Sequence, residues 1–175
     1  RVACISTNRV EVLDLFFACG KVGAILVPLN FRLPEEALLE LVQDCRPRVI
    51  AVDDQWEEFG AACQRDGYVA HAVGLGGTGL AAIANAARAS DEAFPAHQAD
   101  IEDIAMVLYT SGTTGKSKGA MISWRQIHWN AINTTIGLGL TQEDACFLNT
   151  PLYHTGGWHV LFTPLMHLGG RMVLQ

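Results

Sequence analysis

Apolar residues recur at helical spacing from Val10 to Ala24, where Val12, Leu15, Phe16 and Cys19 share a face and most other positions are apolar too. This predicts a helix buried nearly all round. Ile25 to Leu29 is a short apolar run that reads as a strand ending around Pro28. Pro34-Glu35-Glu36 opens a second helix, because proline suits a first turn and acids suit the positive helix end. Leu38, Leu41, Val42 and Cys45 mark its inner face, and Pro47 stops it. Arg48 to Val52 reads as another short strand, closed by Asp53-Asp54. Helix–strand–helix–strand order predicts a parallel sheet with helices packed on it.

The middle is less regular. Tyr68 to Val73 reads as a strand and Leu80 to Ala89 as an alanine-rich helix. Between them, Gly74-Leu75-Gly76-Gly77-Thr78-Gly79 matches the G-x-G-x-x-G dinucleotide fingerprint. A dinucleotide unit needs a second strand ending in an acid about twenty residues on. Asp100 has that offset, but Ser90 to Asp103 is acidic, contains Pro95 and shows no apolar alternation. The glycine run therefore reads as a connection, with a dinucleotide-binding domain as the alternative, and 90–103 as a surface linker. Ile104 to Leu108 and Ala120 to Ile122 read as strands. Ser123-Trp124-Arg125-Gln126 has the form of a capping box. Its helix is expected to reach about Leu138, with Ile127, Ala131, Thr134 and Leu138 inward and Gly137 and Gly139 at the end. Ala145 to Leu148 is a further strand.

Composition narrows the function classes. The chain has 175 residues, 50% hydrophobic and 17% charged, enough for a substantial core and too apolar for disorder. A net charge of −6 without a basic cluster argues against a nucleic-acid or membrane-surface binder. No apolar run reaches membrane-spanning length. The five cysteines, Cys4, Cys19, Cys45, Cys63 and Cys146, are widely spaced and form no C-x-x-C pair. They read as buried free thiols in a reducing compartment, so a cytoplasmic location is expected. The chain starts at Arg1 and ends at Gln175, in each case inside an apolar segment. It is expected to be a piece of a longer protein, cut at both ends.

Between two of the strands lies Tyr109-Thr110-Ser111-Gly112-Thr113-Thr114-Gly115-Lys116-Ser117-Lys118-Gly119. Glycines let backbone N–H groups converge on one anion. Hydroxyls donate further hydrogen bonds, and lysines add compact positive charge. The stretch is therefore a candidate phosphate cradle. It is not the P-loop G-x-x-x-x-G-K-[ST]. Gly115-Lys116-Ser117 fits the tail, but Thr110 stands where the opening glycine belongs. A P-loop also runs into a helix, whereas Gly119 to Ile122 reads as a strand. The expected form is a strand–loop–strand hairpin.

The order Thr-Ser-Gly-Thr-Thr-Gly-x-x-Lys-Gly after an apolar strand closely resembles the signature of the acyl-adenylate-forming, or AMP-binding, superfamily. Acyl- and aryl-CoA synthetases, luciferases and peptide-synthetase adenylation domains belong to it. Ser117 stands where the family usually has proline, which removes no phosphate donor. Gly23, Val27-Pro28-Leu29-Asn30, Arg32 and Glu35-Glu36 also stand as in the family's first helix–strand units. The resemblance covers the first fifty residues and everything from about Ile104. It implies an α/β fold, a Rossmann-like three-layer sheet with helices on both faces, part of the large N-terminal domain of an adenylate-forming enzyme. Residues 1–54 would hold the first helix and strand units, 55–103 a variable connection, and 104–175 the phosphate loop and acyl-pocket segment.

Pro151-Leu152-Tyr153-His154-Thr155-Gly156-Gly157-Trp158-His159 follows the last strand. Ligands of open α/β sheets bind beyond the carboxyl ends of strands, and glycines beside aromatics suit a pocket wall. His154, His159 and His167 lack the spacing and the neighbouring Cys or acid of a zinc set. His159 and His167 read as structural helix residues. His154 reads either as a site residue or as a turn histidine that holds its own loop.

Pro-Leu-Tyr-His-x-Gly-Gly resembles the second signature of acyl- and aryl-CoA synthetases. Peptide-synthetase domains usually carry a Phe-Asp motif here, while luciferase-like enzymes share the histidine. The resemblance implies an acid–thiol ligase that uses ATP, Mg²⁺ and CoA on a small-molecule carboxylic acid. An acyl adenylate forms first, then an acyl-CoA thioester. It implies nucleotide contacts from Thr110, Ser111, Gly112, Thr113, Thr114 and Lys118, with Lys116 at a variable position. His154 would place the carboxylate, and Gly156 and Gly157 would line the acyl pocket. The family's adenine, ribose and metal contacts and its mobile C-terminal domain match nothing before Gln175. The fragment by itself is expected to be inactive. Tyr153, Trp158 and Gly156 point to an apolar or aromatic acyl group.

Overall fold

The computed structural model of the chain describes residues 1–77, 97–110 and 117–175. The expected helix over 80–89 and loop residues 111–116 lie outside these. Six strands, β1 (Val2–Ile5), β2 (Leu26–Leu29), β3 (Val49–Val52), β4 (His71–Gly74), β5 (Ile104–Thr110) and β6 (Lys118–Ser123), form one sheet in the order β4-β3-β1-β2-β5-β6. The first five are mutually parallel, and β6 returns antiparallel to β5. Three helices connect the early strands: α1 (Val10–Val22), α2 (Glu35–Cys45) and α3 (Glu57–Arg65).

Why this makes three layers follows from strand order and side-chain alternation. The step from β1 to β2 runs one way across the sheet, and the steps from β2 to β3 and β3 to β4 run the other way. Right-handed crossovers in opposite directions put their helices on opposite faces. The two cores confirm it. Cys4, Leu26, Ala51, Met106 and Leu108 meet Val12, Phe16 and Cys19 of α1 on one face. Their neighbours Ala3, Ile5, Val27, Leu29, Ile50 and Val52 meet Leu38, Leu41, Val42 and Cys45 of α2 and Phe59 and Cys63 of α3 on the other. Because both faces are covered, the central strands read as continuous apolar runs, as parallel strands do.

The second half builds on the α1 face. Helix α4 (Trp124–Leu138) follows β6 directly. Then come β7 (Ala145–Leu148), α5 (Thr155–His159), α6 (Phe162–Leu168) and β8 (Arg171–Leu174), with β7 and β8 paired in parallel. Trp158 is fully buried, with its ring 5.0 Å from Phe16 and 5.5 Å from Phe162. Its indole N–H donates to the Leu152 carbonyl. Phe16 also meets Trp124 at 5.2 Å.

Several expectations hold at residue level. Gly23 ends α1 in the left-handed region, φ 70°, as a C-terminal glycine should. Leu38, Leu41, Val42 and Cys45 are the buried face of α2. Ser123 caps α4 through a full capping box with Gln126, and Gly139 closes it at φ 65°. All five cysteines are free, and burial pushes the Cys4 thiol up to about 12 and those of Cys19 and Cys45 to about 11.

Others need correction. Helix α1 is not buried all round. Val10 is 59% exposed and Phe17 39%, because only the stripe toward the sheet is covered. Leu138 is 61% exposed, although it shares a face with Ala131: buried positions in α4 stop at Ala131, so its last turns run beyond the layer they pack on. The strand expected from Tyr68 begins only at His71, because the N–H groups of Tyr68 and Val69 turn back to the Cys63 carbonyl and close α3. Helix α3, not expected above, buries Phe59, Gly60 and Cys63 on one face. Gly60 lets it lie close on β3, since a Cβ there would sit 3.2 Å from Val52. Residues 97–100 are exposed, as expected of a surface linker, and His97 docks on the end of α1 through the Lys21 carbonyl.

Replacing Ser123 with alanine removes one half of the capping box and should cost about 1 kcal/mol of stability. Thermal melting of the folded protein checks this; an unchanged melting temperature would show that the cap contributes nothing.

Candidate functional site

Parallel strands deliver all their carboxyl ends to one edge. Thr110 ends β5 there, and because β6 runs the other way its first residue, Lys118, lies at the same edge, paired across from Thr110. The Thr110 hydroxyl donates to the Lys118 carbonyl at 3.4 Å. Both residues are exposed. The expected pair of antiparallel strands is present, with Thr110 and Lys118 at its mouth. Ser111, Gly112, Thr113 and Thr114 lie outside the described residues.

Behind this mouth, Tyr109 points to the opposite face and donates its hydroxyl to Asp44 of α2. Burial, and next the Asp44 contact, raise the Tyr109 phenol well above its ordinary range, so it stays a neutral donor. The pairing of β2 with β5 is confined to Leu26 opposite Met106. Pro28, which has no N–H to give a ladder, lies two residues further along.

The Tyr-His turn reaches the same edge through contacts far apart in sequence. Asp53, just after β3, is buried and accepts a hydrogen bond from the Thr7 N–H at 3.0 Å, fixing the loop after β1. Asn8 in that loop uses both ends of its carboxamide. Its Nδ2 donates to the Thr150 carbonyl at 3.1 Å, and its Oδ1 accepts from the Leu152 N–H at 2.9 Å. Phe31, just after β2, meets Tyr153 edge to face at 5.4 Å. Arg32 lies 5.6 Å from the Phe31 ring centre. Loops after β1, β2 and β3 thus hold residues 150–153 at the carboxyl edge.

His154 follows, exposed, at the start of α5. Its Nδ1 accepts from the Gly156 N–H at 3.1 Å. In the neutral ring this leaves the proton on Nε2, a donor not used in the turn. The two glycines that follow differ. A Cβ at Gly157 would sit 2.6 Å from the Pro151 carbonyl oxygen and 2.9 Å from that of Thr150. At Gly156 it would meet only side chains, Thr150 at 3.2 Å and His154 at 3.3 Å. Gly157 is therefore required by close approach of α5 to the chain before it.

His159 and His167 lie on α5 and α6. His167 packs against His128 at 5.5 Å. Among the described residues, no group of three or more His, Cys, Asp or Glu side chains is placed to hold a metal ion. Residues 75–77 of the glycine fingerprint follow β4, which among the described residues is an edge strand two places from β1. Gly76 folds onto Asp54, whose Oδ1 would lie 2.1 Å from a Cβ there. This is not the crevice beside β1, where the chain leaves toward opposite faces and where a doubly wound sheet binds its ligand.

Asn8, Phe31 and Asp53 were not legible as site-building residues. Their common signal is a polar or aromatic residue just past the end of a strand.

The AMP-binding enzyme family profile matches residues 1–175, and the chain belongs to that family. It is 30% identical over 175 residues to a feruloyl-CoA synthase of Amycolatopsis sp, covering 100% of this chain and 33% of that protein. An indoleacetate–CoA ligase of Aromatoleum aromaticum is 33% identical over 179 residues, with 99% and 35% covered. The crystal structure of ATP-bound MatB from Rhodopseudomonas palustris superposes with a TM-score of 0.85 at 30% identity, over 100% of this chain and 34% of that one. The chain spans about a third of the length of the curated relatives it matches.

Gly157→Ala should destabilise the fold by about 1–3 kcal/mol, through overpacking against backbone, and clearly more than Gly156→Ala. Melting curves of the two variants decide the point. Equal effects would contradict the close approach described for Gly157.

Proposed function

We propose that this chain forms part of an ATP-dependent carboxylic acid–CoA ligase. The observation that carries this is the convergence of two segments on one sheet edge: the hairpin mouth at Thr110 and Lys118, and the His154 turn tied there by Asn8. In the first reaction a carboxylate oxygen bonds to the α-phosphorus of ATP and the bond to pyrophosphate breaks. In the second, the sulfur of CoA bonds to the acyl carbon and AMP leaves.

The first step brings two anions together, so the site must offset their repulsion and align them. Lys118 supplies an exposed cation at the mouth. Thr110 and, in this reading, Ser111, Gly112, Thr113 and Thr114 supply neutral donors to the phosphates. His154 presents its Nε2–H to the incoming carboxylate. In this reading the backbone of Gly156 lines the acyl side of the turn beside Tyr153, while Gly157 serves the site through the close packing of α5 on Thr150 and Pro151. Mg²⁺, which the resemblance implies, would enter with ATP and neutralise phosphate charge; among the described residues no group of three or more His, Cys, Asp or Glu side chains is placed to hold a metal ion. CoA is assigned as acceptor because the relatives are named as CoA ligases. The free, largely buried thiols support a cytoplasmic location.

Lys118→Ala in the full-length ligase should lower ATP–pyrophosphate exchange by about 10²–10³-fold while the fold persists. Wild-type exchange in a folded variant would sink the assignment.

For His154→Ala, acyl-adenylate formation should fall more than ATP affinity does, measured by single-turnover kinetics and calorimetry on one preparation. If the histidine only ties down its turn, melting temperature and both activities would fall together.

A further inference from the structure

The strand pair β5–β6 is loosely joined to the rest of the domain at its mouth. Its ladder to β2 is confined to Leu26 opposite Met106. Residues 107–110 therefore have a paired strand on one side only, β6. Leu108 is buried in the α1-side core, but Val107 and Tyr109 are only partly buried against the α2 side. There a hollow of about 430 Å³ lies between the strand pair and α2, with Leu33, Glu40, Leu41 and Ser117 on its walls. Asp44 and Tyr109 line the same hollow, and the Tyr109 hydroxyl donates to the Asp44 carboxylate. Outside the strand ladders, this is the one hydrogen bond among the described residues that ties 107–110 and 118–121 to the remainder of the fold.

Two neighbours of the contact are suited to it. Gly119 stands opposite Tyr109 in the ladder. A Cβ there would lie 3.6 Å from the Tyr109 ring and 2.8 Å from Val107, so glycine leaves that face of β6 open to the ring. Asp44 sits in the last turn of α2, which holds no basic residue. An acid at the negative end of a helix weakens it. The guanidinium of Arg1 donates to the carbonyls of Cys45 and Arg46 rather than to Asp44. A residue that breaks a local rule without a local gain points to a role elsewhere, and the partner of Asp44 is the hydroxyl of the residue beside Thr110. The bond asks of Asp44 an acceptor oxygen and not a charge, so an amide in its place would keep it.

We propose that Asp44 is a positioning residue for adenylation: through Tyr109 it fixes where the mouth of the strand pair stands, and with it Thr110 and Lys118 against the nucleotide phosphates. This rests on the ligase reading. In this role neither Asp44 nor Tyr109 touches substrate. Consecutive strand residues point to opposite faces, so the tie acts from behind the mouth. Alignment of the reacting groups tolerates little error, since a misplacement of about 1 Å can cost about a hundred-fold in rate.

The test uses the full-length ligase on a panel of aliphatic and aryl acids from acetate to 3-phenylpropanoate, read by ATP–pyrophosphate exchange and melting temperature. Variants are compared on the acid that the wild type uses fastest, with kcat and KM taken separately. Tyr109→Phe removes only the hydroxyl, and Asp44→Ala removes the acceptor. Each should lower kcat by roughly ten- to a hundred-fold, with the acid KM unchanged because the acid is held from the His154 turn. The double variant should be no slower than the slower single one, as expected of two residues acting through one contact. Asp44→Asn should recover most of the rate. Wild-type kcat in Tyr109→Phe overturns the proposal, whatever its melting temperature. So do additive losses in the double variant, or an Asp44→Asn enzyme as slow as Asp44→Ala. These results leave the ligase reading intact, because the wild type still exchanges pyrophosphate. No exchange by the wild type with any acid of the panel removes both readings at once. Should Tyr109→Phe fail to fold, the two Asp44 variants still decide.

Discussion

The carboxyl edge depends on one side chain, the carboxamide of Asn8. A carboxamide can donate to a carbonyl and accept from an N–H within one planar, uncharged unit. Here it does both, to Thr150 and from Leu152. Those residues are more than a hundred positions away along the chain, so this pair of bonds closes a long loop. Asn8 can do this only because its own loop is fixed. Asp53 fixes it by accepting from Thr7, although burying a carboxylate is costly and its Oδ1 has no partner among the described residues. That cost is borne at a place where position matters more than local stability.

The polar tie works alongside an apolar one. Trp158 anchors α5 into the core shared with Phe16 and Phe162. Truncating a buried aromatic typically costs about 3–5 kcal/mol, so this anchor contributes more to stability than the Asn8 bonds. The division of labour is clear: Trp158 decides that the segment packs on α1, and Asn8 with Phe31 decides which edge the Tyr-His turn faces. Gly157 is the steric condition for both, because a side chain there would push α5 off the chain it follows.

Much of the fold was legible because local and global preferences agree. The helices α1, α2 and α4 have apolar stripes and terminal signals that tertiary packing did not override. Where legibility failed, the missing information was about neighbours. Leu138 has the right spacing to face inward, but spacing cannot say where the supporting layer ends. Tyr68 has strand chemistry, yet its N–H is taken by the end of α3. Helix α3 buries Phe59 and Cys63 at helical spacing, but how close it lies on β3 is set by Gly60 against Val52, a fit between surfaces that spacing does not record.

The sequence by itself determined the parallel sheet with helices packed on it, the hairpin at the phosphate-loop motif and the family, because these rest on apolar period, caps and a contiguous motif; that the helices cover both faces followed there only from the family resemblance. Only the tertiary structure decided that the hairpin mouth and the His154 turn share one edge. It also decided that Asn8, Phe31 and Asp53 hold them there, and that the glycine fingerprint sits on an edge strand away from the crevice. The physical reason is separation along the chain. Period and motif report interactions within a few residues, whereas hydrogen bonds such as Asn8 to Leu152 arise only when strand order has brought distant loops to one place.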